Sequence, residues 1–223
     1  MTVKRPTLIF DLDGTLTDPR EGITRCIRHA LEHLGLDSPQ THDLERWIGP
    51  PLLDTFTAIV GSDRAPVALE AFRARYGEVG LYENRLYDGI ASALASLQRV
   101  GHTLLVATSK PRPYAVRILE HFDLHRLFDG VYGAELSGER AAKTELLTHL
   151  LREERLDAKD AVMIGDRKHD VVAAKAVCMR SVGVAWGFGS KDELKNAGAD
   201  TICASIDELV TWCGSAVEEL VPR

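Results

Sequence analysis

The chain is poor in the residues and runs that mark most specialised protein classes. Cysteine occurs four times in 223 residues, at Cys26, Cys178, Cys203 and Cys213. No two have the spacing of a zinc or redox pair, so they read as small apolar side chains in a reducing compartment. Long apolar runs are missing: 7–10, 104–107 and 161–164 fall far short of the ~20 residues a membrane span needs. Residues 1–5 carry no leader-like stretch, so no signal peptide is expected. Basic charge is in deficit, with 27 Lys and Arg against 33 Asp and Glu, a net charge of −6. That balance argues against a broad nucleic-acid-binding face but leaves room for a small acidic ligand in a local cationic pocket. A cytoplasmic protein with neither nucleic acid nor membrane as partner is the expectation, its subunit number left open. Apolar residues at 45% and charged residues at 27% exclude a disordered or fibrous chain. The terminal Leu220-Val221-Pro222-Arg223 resembles what thrombin leaves after cleavage, a native tail being the alternative, and no function is expected of it.

What is present is a series of short, nearly continuous apolar runs at 7–10, 103–107, 130–132, 161–164, 181–184 and 201–203. Strands buried on both faces of a parallel sheet read this way. Helical spacing fills the gaps. Ile90, Leu94 and Leu97 precede a Gly101 stop, Val116 and Leu119 follow the second run, and Leu146, Leu147, Leu150 and Leu151 follow the third. Strand and helix alternate from about residue 89 onward, which predicts a doubly wound α/β domain. Between the first two runs lie roughly ninety residues, where one crossover needs only about a dozen. The surplus is helical in pattern: Ile23, Ile27, Ala30, Leu31 and Leu34; then Leu52, Leu53, Phe56, Ile59 and Val60; then Ala68, Leu69, Phe72 and Tyr76. The expected division is therefore an α/β core over 1–18 and 87–223 and an inserted helical domain over 19–86.

The first run ends in Ile9-Phe10-Asp11-Leu12-Asp13-Gly14-Thr15-Leu16. An i, i+2 pair of carboxylates at a strand end can point to one side. Gly14 lets the chain turn sharply just afterwards. Such a pair repels itself unless a cation lies between the two or one of them takes a proton.

Asp11-Leu12-Asp13-Gly14-Thr15 resembles the first motif of the haloacid dehalogenase-like phosphohydrolases, and three further motifs follow in order. Leu104-Leu105-Val106-Ala107-Thr108 is an apolar strand ending in a hydroxyl. Lys143 opens the next leucine-rich helix, and Met163-Ile164-Gly165-Asp166-Arg167-Lys168-His169-Asp170 supplies the last acidic pair. The resemblance spans essentially the whole chain and implies a Rossmann-like core with a helical cap. It implies that Asp11 is a nucleophile forming an aspartyl-phosphate, and that Asp13 is general acid and then general base. It implies Mg²⁺ held by Asp11, the backbone carbonyl of Asp13, and Asp166. Lys143 and Thr108, with the backbone at Ser109, would contact the phosphoryl oxygens, and Asp170 would support Lys143 or a metal-bound water. Lys110 and Arg112, beside the second motif, read as solvated side chains, with a contact to the substrate phosphate as the alternative.

The family places substrate choice in the cap. Trp47-Ile48-Gly49-Pro50-Pro51-Leu52 and Tyr76-Gly77 with Gly80-Leu81-Tyr82-Glu83-Asn84 resemble stretches of phosphoglycolate phosphatases and nucleotidases. Trp47, Arg73, Arg75 and Arg85 are candidates to meet a second anionic group. The sequence departs at Asp88, where many relatives carry proline, which touches a hinge and not the chemistry. The expected activity is Mg²⁺-dependent hydrolysis of a small phosphorylated metabolite, phosphoglycolate or a nucleoside monophosphate. A sugar phosphomutase of the same fold and a receiver-like phosphoacceptor module stay open as alternatives. Phosphonate hydrolysis is discounted because residues 16–99 hold no lysine for a Schiff base. His29 and His33 have zinc-compatible spacing but sit on a wet face, and Gly187, Gly189 and Ser190 read as a tight connecting loop.

Overall fold

Six apolar runs become six parallel strands. The computed structural model describes residues 5–37, 40, 44–45 and 47–219. The leader and cleavage readings on residues 1–4 and 220–223 lie outside them. Strand β1 (Thr7–Phe10) is fully buried and pairs on both sides, Phe10 standing opposite Val106 of β4 (Leu104–Pro111) and Ile164 of β6 (Ala161–Gly165). With β5 (Gly130–Ala134), β7 (Arg180–Val184) and β8 (Thr201–Cys203) the order is β5-β4-β1-β6-β7-β8. The chain runs outward from β1 to one side through β4 and β5, then restarts beside β1 at β6. The carboxyl end of β1 is thus the switch point where open α/β sheets bind ligands. β2 (Thr17–Asp18) and β3 (Arg85–Leu86) pair in a separate two-stranded ribbon.

The chain divides into two compact units, Met1–Leu16 with Leu86–Arg223, and Thr17–Arg85; the junctions expected from sequence were 18/19 and 86/87. In the first unit the connecting helices are α4 (Ile90–Arg99), α5 (Arg112–His121), α6 (Lys143–Glu153), α7 (Lys168–Ala176), α8 (Lys191–Ala197) and α9 (Ile206–Glu219). Leu146, Leu147 and Leu150 of α6 bury against Ile9, Leu105, Ala107 and Met163 of the sheet and Ala173 and Ala174 of α7. Each such leucine contributes about 1.5–3 kcal/mol by leaving water. This packing fixes α6 along its length and so fixes its first residue, Lys143, at the end of the sheet.

The second unit holds α1 (Arg20–His33), α2 (Leu52–Val60) and α3 (Ala65–Arg75), the last running into a π turn at Tyr76–Gly80. The stripes read from the sequence supply its interior: Ile27, Ala30, Leu31, Phe56, Ala68, Phe72 and Tyr76 are buried. Phe72 stacks on Tyr76 with ring centres 5.2 Å apart and meets Phe56 edge-on at 6.0 Å. Leu53, part of the second stripe, is instead 47% exposed. Arg75 and Arg85, candidates for a second substrate anion, already hold carboxylates, Glu83 at 2.7 Å and Asp18 at 3.3 Å.

Candidate active site

Asp11 is the first residue past β1, and its N–H still donates to Ile164 at 2.9 Å, which holds it in the sheet frame. The chain then turns within one step. Leu12 N–H donates to Asp11 Oδ1 at 2.8 Å, and Thr15 and Leu16 N–H groups return to the Leu12 carbonyl. Gly14 takes a φ of +85°, and a Cβ there would collide with the Asp166 carboxylate. Glycine is required on both counts, conformation and space.

One carboxylate oxygen from each of Asp11, Asp166 and Asp170 lies within 4.8 Å of the others. Lys143 enters from α6 with Nζ 2.9 Å from Asp11, 2.8 Å from Asp170 and 3.0 Å from the Ala107 carbonyl oxygen. Burial alone would lower its pKa, but the Asp11 and Asp170 charges outweigh that and raise it above the ordinary lysine range. Three acids against one lysine leave excess negative charge in a buried place. Burial, reinforced by Asp170 and Asp11, pushes Asp166 up to about 8. Burial also dominates at Asp170, where Lys143 partly offsets it and the pKa stands at about 6. An all-oxygen donor set with surplus charge suits a hard divalent cation.

Asp166 is held by the 186–188 loop, which residue types alone mark as no more than a tight connection. Phe188 N–H donates to Asp166 Oδ2 at 2.7 Å, Thr15 Oγ1 lies 3.4 Å from Oδ1, and Trp186 Nε1 donates to the Thr15 carbonyl at 3.1 Å. Gly187 packs so close that a Cβ would strike Gly14 and Asp166. Asp170 accepts from Arg167 N–H at 3.2 Å and so closes the first turn of α7 while also facing Lys143. Thr108 is buried at the end of the apolar part of β4 and its Oγ1 accepts from Lys110 N–H at 3.3 Å. Ser109 follows it, half-buried.

Asp13 departs from the acidic cluster. Its carboxylate meets Lys110 Nζ at 2.7 and 2.9 Å, with the lysine side chain only 7% exposed. The reading of Lys110 as solvated is therefore corrected: β4 continues through Lys110, which turns its ammonium onto Asp13. No local signal announces it, because the polar end of β4 has no hydrophobic alternation and its register shifts between Thr108 and Pro111. Burial still raises the Asp13 pKa more than Lys110 lowers it.

The haloacid dehalogenase-like hydrolase model matches residues 8–184. The chain belongs to the haloacid dehalogenase-like hydrolases. This hydrolase is 48% identical over 209 residues to a 5′-nucleotidase of Pseudomonas aeruginosa, covering 93% of this chain and 95% of that protein. It is 41% identical over 204 residues to the tyrosine-protein kinase PtkA of Mycobacterium tuberculosis, covering 91% and 70%. The crystal structure of a predicted phosphatase from Clostridium acetobutylicum superposes with a TM-score of 0.90 at 39% identity, over 97% and 99% of the two chains. The hydrolase is an enzyme and sits among phosphatases. No helix among its described residues is long and apolar enough to cross a membrane.

Proposed function

We propose that this hydrolase is a Mg²⁺-dependent phosphomonoesterase that cleaves small phosphate esters through an aspartyl-phosphate on Asp11. The observation that carries the reading is the placement of the Asp11 carboxylate against Lys143 at 2.9 Å, at the carboxyl end of the sheet and beside two further buried acids. A carboxylate can attack a phosphate dianion only where positive charge offsets their repulsion. Asp11, Asp166 and the Asp13 carbonyl, with Asp170 alongside, would hold Mg²⁺, which would supply further positive charge to the phosphoryl oxygens.

The protein's own residues do the rest. Asp11 forms the bond to phosphorus as the ester P–O bond breaks, and Asp13 gives its proton to the departing oxygen. Asp13 then takes a proton from water as that water attacks phosphorus, the bond to Asp11 breaks, and inorganic phosphate leaves. Lys143 keeps its charge throughout because its two carboxylate neighbours hold it protonated, and Thr108 offers a hydroxyl to a phosphoryl oxygen. Substrate selection is assigned to the helical domain, as the family resemblance implies. Nucleoside 5′-monophosphates are the first candidates, on the strength of the 48% identical 5′-nucleotidase, and phosphoglycolate the second.

A second reading, in which the phosphoryl group on Asp11 passes to an acceptor hydroxyl other than water, is favoured by the relative named as a tyrosine-protein kinase. Both readings are tested by measuring phosphate release from a panel of nucleoside monophosphates, phosphoglycolate and sugar phosphates with Mg²⁺, alongside Asp11→Asn. Multiple turnovers to free phosphate in the parent, and none in a variant that still unfolds cooperatively, support hydrolysis at Asp11. Normal turnover in Asp11→Asn removes it from that role, and phosphate appearing only on an added acceptor selects the second reading.

A further inference from the structure

Lys110 has no part in the scheme above, yet the fold takes trouble to place it. β4 keeps its pairing with β5 beyond Thr108, but the register shifts between Thr108 and Pro111. Within that irregularity Lys110 N–H donates back to Thr108 Oγ1 at 3.3 Å. Gly133 on β5 allows the close approach: a Cβ there would stand 2.7 Å from the Lys110 carbonyl oxygen and 2.8 Å from Arg112 Cα. The outcome is a lysine turned inward at 7% side-chain exposure, with Nζ 2.9 Å from Asp13 Oδ1 and 2.7 Å from Oδ2. A bulge that re-aims one side chain is a recurrent device beside active sites. Burying a lysine sacrifices rotamer freedom worth about 1.5–2 kcal/mol, so its one firm geometry needs a partner that repays it.

We propose that Lys110 is a positioning residue for Asp13, holding the carboxylate by both oxygens in the orientation from which it exchanges protons with the leaving oxygen and the attacking water. This rests on the acid–base reading of Asp13 given above. Lys143 is occupied with Asp11 and Asp170, so the two lysines divide the work: one faces the nucleophile, the other orients the proton carrier. Without Lys110 the Asp13 carboxylate is free to turn about its side-chain torsions, and a misplacement of about 1 Å costs about 10²-fold in rate.

The test compares Lys110→Met, Asp13→Asn and the double variant on two substrates. A nucleoside 5′-monophosphate has a poor leaving group that needs a proton; p-nitrophenyl phosphate has a good one that does not. For Lys110→Met the expected result is a loss of about 10²-fold in kcat on the nucleotide, with KM within about twofold of the parent. The first-turnover release of p-nitrophenol is expected to change far less. In the Asp13→Asn background the lysine substitution is expected to add nothing, since both act through one carboxylate. Equal losses on the two substrates with a raised KM would identify Lys110 as a phosphate ligand and overturn the proposal, as would additive losses in the double variant or no loss at all. If Asp13→Asn itself slows both substrates equally, the acid–base reading falls and the proposal with it. A leaving-group-selective Asp13→Asn beside a non-selective Lys110→Met overturns the Lys110 role alone. Should Lys110→Met melt early because a carboxylate is left buried and unpaired, Lys110→Arg keeps the charge, lacks the compact ammonium, and carries the same comparison.

Discussion

Replacing Lys143 by methionine tests the electrostatic logic of the site most directly. The ammonium touches two carboxylates at 2.9 and 2.8 Å and one carbonyl at 3.0 Å, with its side chain 5% exposed. Water therefore screens these contacts little, and the discount that applies to surface pairs does not. Removing one partner of a buried ionic pair costs about 3–5 kcal/mol, because the remaining charges stay buried without compensation. In a domain of this size that is a fall in melting temperature of about 6–20 °C. The deficit has a pH signature. Asp170 stands at about 6 even with Lys143 beside it, so without the lysine it takes up a proton at higher pH still. Acid then relieves the repulsion that Lys143 relieved, and the gap between parent and variant narrows as pH falls from about 8 to about 5. The assay is thermal melting of both proteins with chelator present at those two pH values, together with phosphate release. Activity is expected to fall by about 10²–10³-fold, the usual effect of removing one group that meets developing charge. Equal melting of parent and variant at the alkaline end would refute the claim that Lys143 neutralises a buried acidic cluster.

Other outcomes follow from the same geometry. Asp166 is raised to about 8 and Asp170 to about 6 in the metal-free protein. The folded state thus binds protons more tightly than the unfolded chain, and metal-free stability falls as pH climbs from about 4 to about 8. Under the proposed function Mg²⁺ would select the deprotonated acids, so the rise in melting temperature on adding it is expected to be larger at about pH 8 than at about pH 5. A Mg²⁺-induced shift independent of pH would contradict this. Gly187→Ala places a methyl against Gly14 and Asp166 and is expected to weaken Mg²⁺ binding by about 10-fold or more, the scale seen when supports of a metal ligand are disturbed. Calorimetric titration with Mg²⁺ checks it, and unchanged affinity would mean that the 186–188 loop does not set Asp166.

The parallel strands were legible because burial on both faces leaves a plain hydrophobic mark, as in Thr7–Phe10 and Ala161–Gly165. The polar end of β4 was not. Thr108, Ser109 and Lys110 are polar, and Lys110 faces Asp13, so no hydrophobic pattern reports that the strand goes on to Pro111. Asp166 and Asp170 were reached only through the family resemblance, whereas Asp11 and Asp13 could be singled out because i, i+2 carboxylates after an apolar strand are chemically costly without a purpose. The loop around Trp186 and Phe188 could not, since it acts through a backbone N–H and through the absence of side chains, neither of which a residue type announces.

By itself, then, the sequence determined the alternation of strand and helix, the helical insertion and the list of acidic and basic groups, because burial period and residue chemistry are local properties. Only the tertiary structure decided the strand order that puts β1 at the switch point, and which lysine meets which carboxylate. Residues 97 and 132 positions apart, Asp13 with Lys110 and Asp11 with Lys143, are joined by the packing of whole strands and helices, and no local pattern in the chain encodes that pairing.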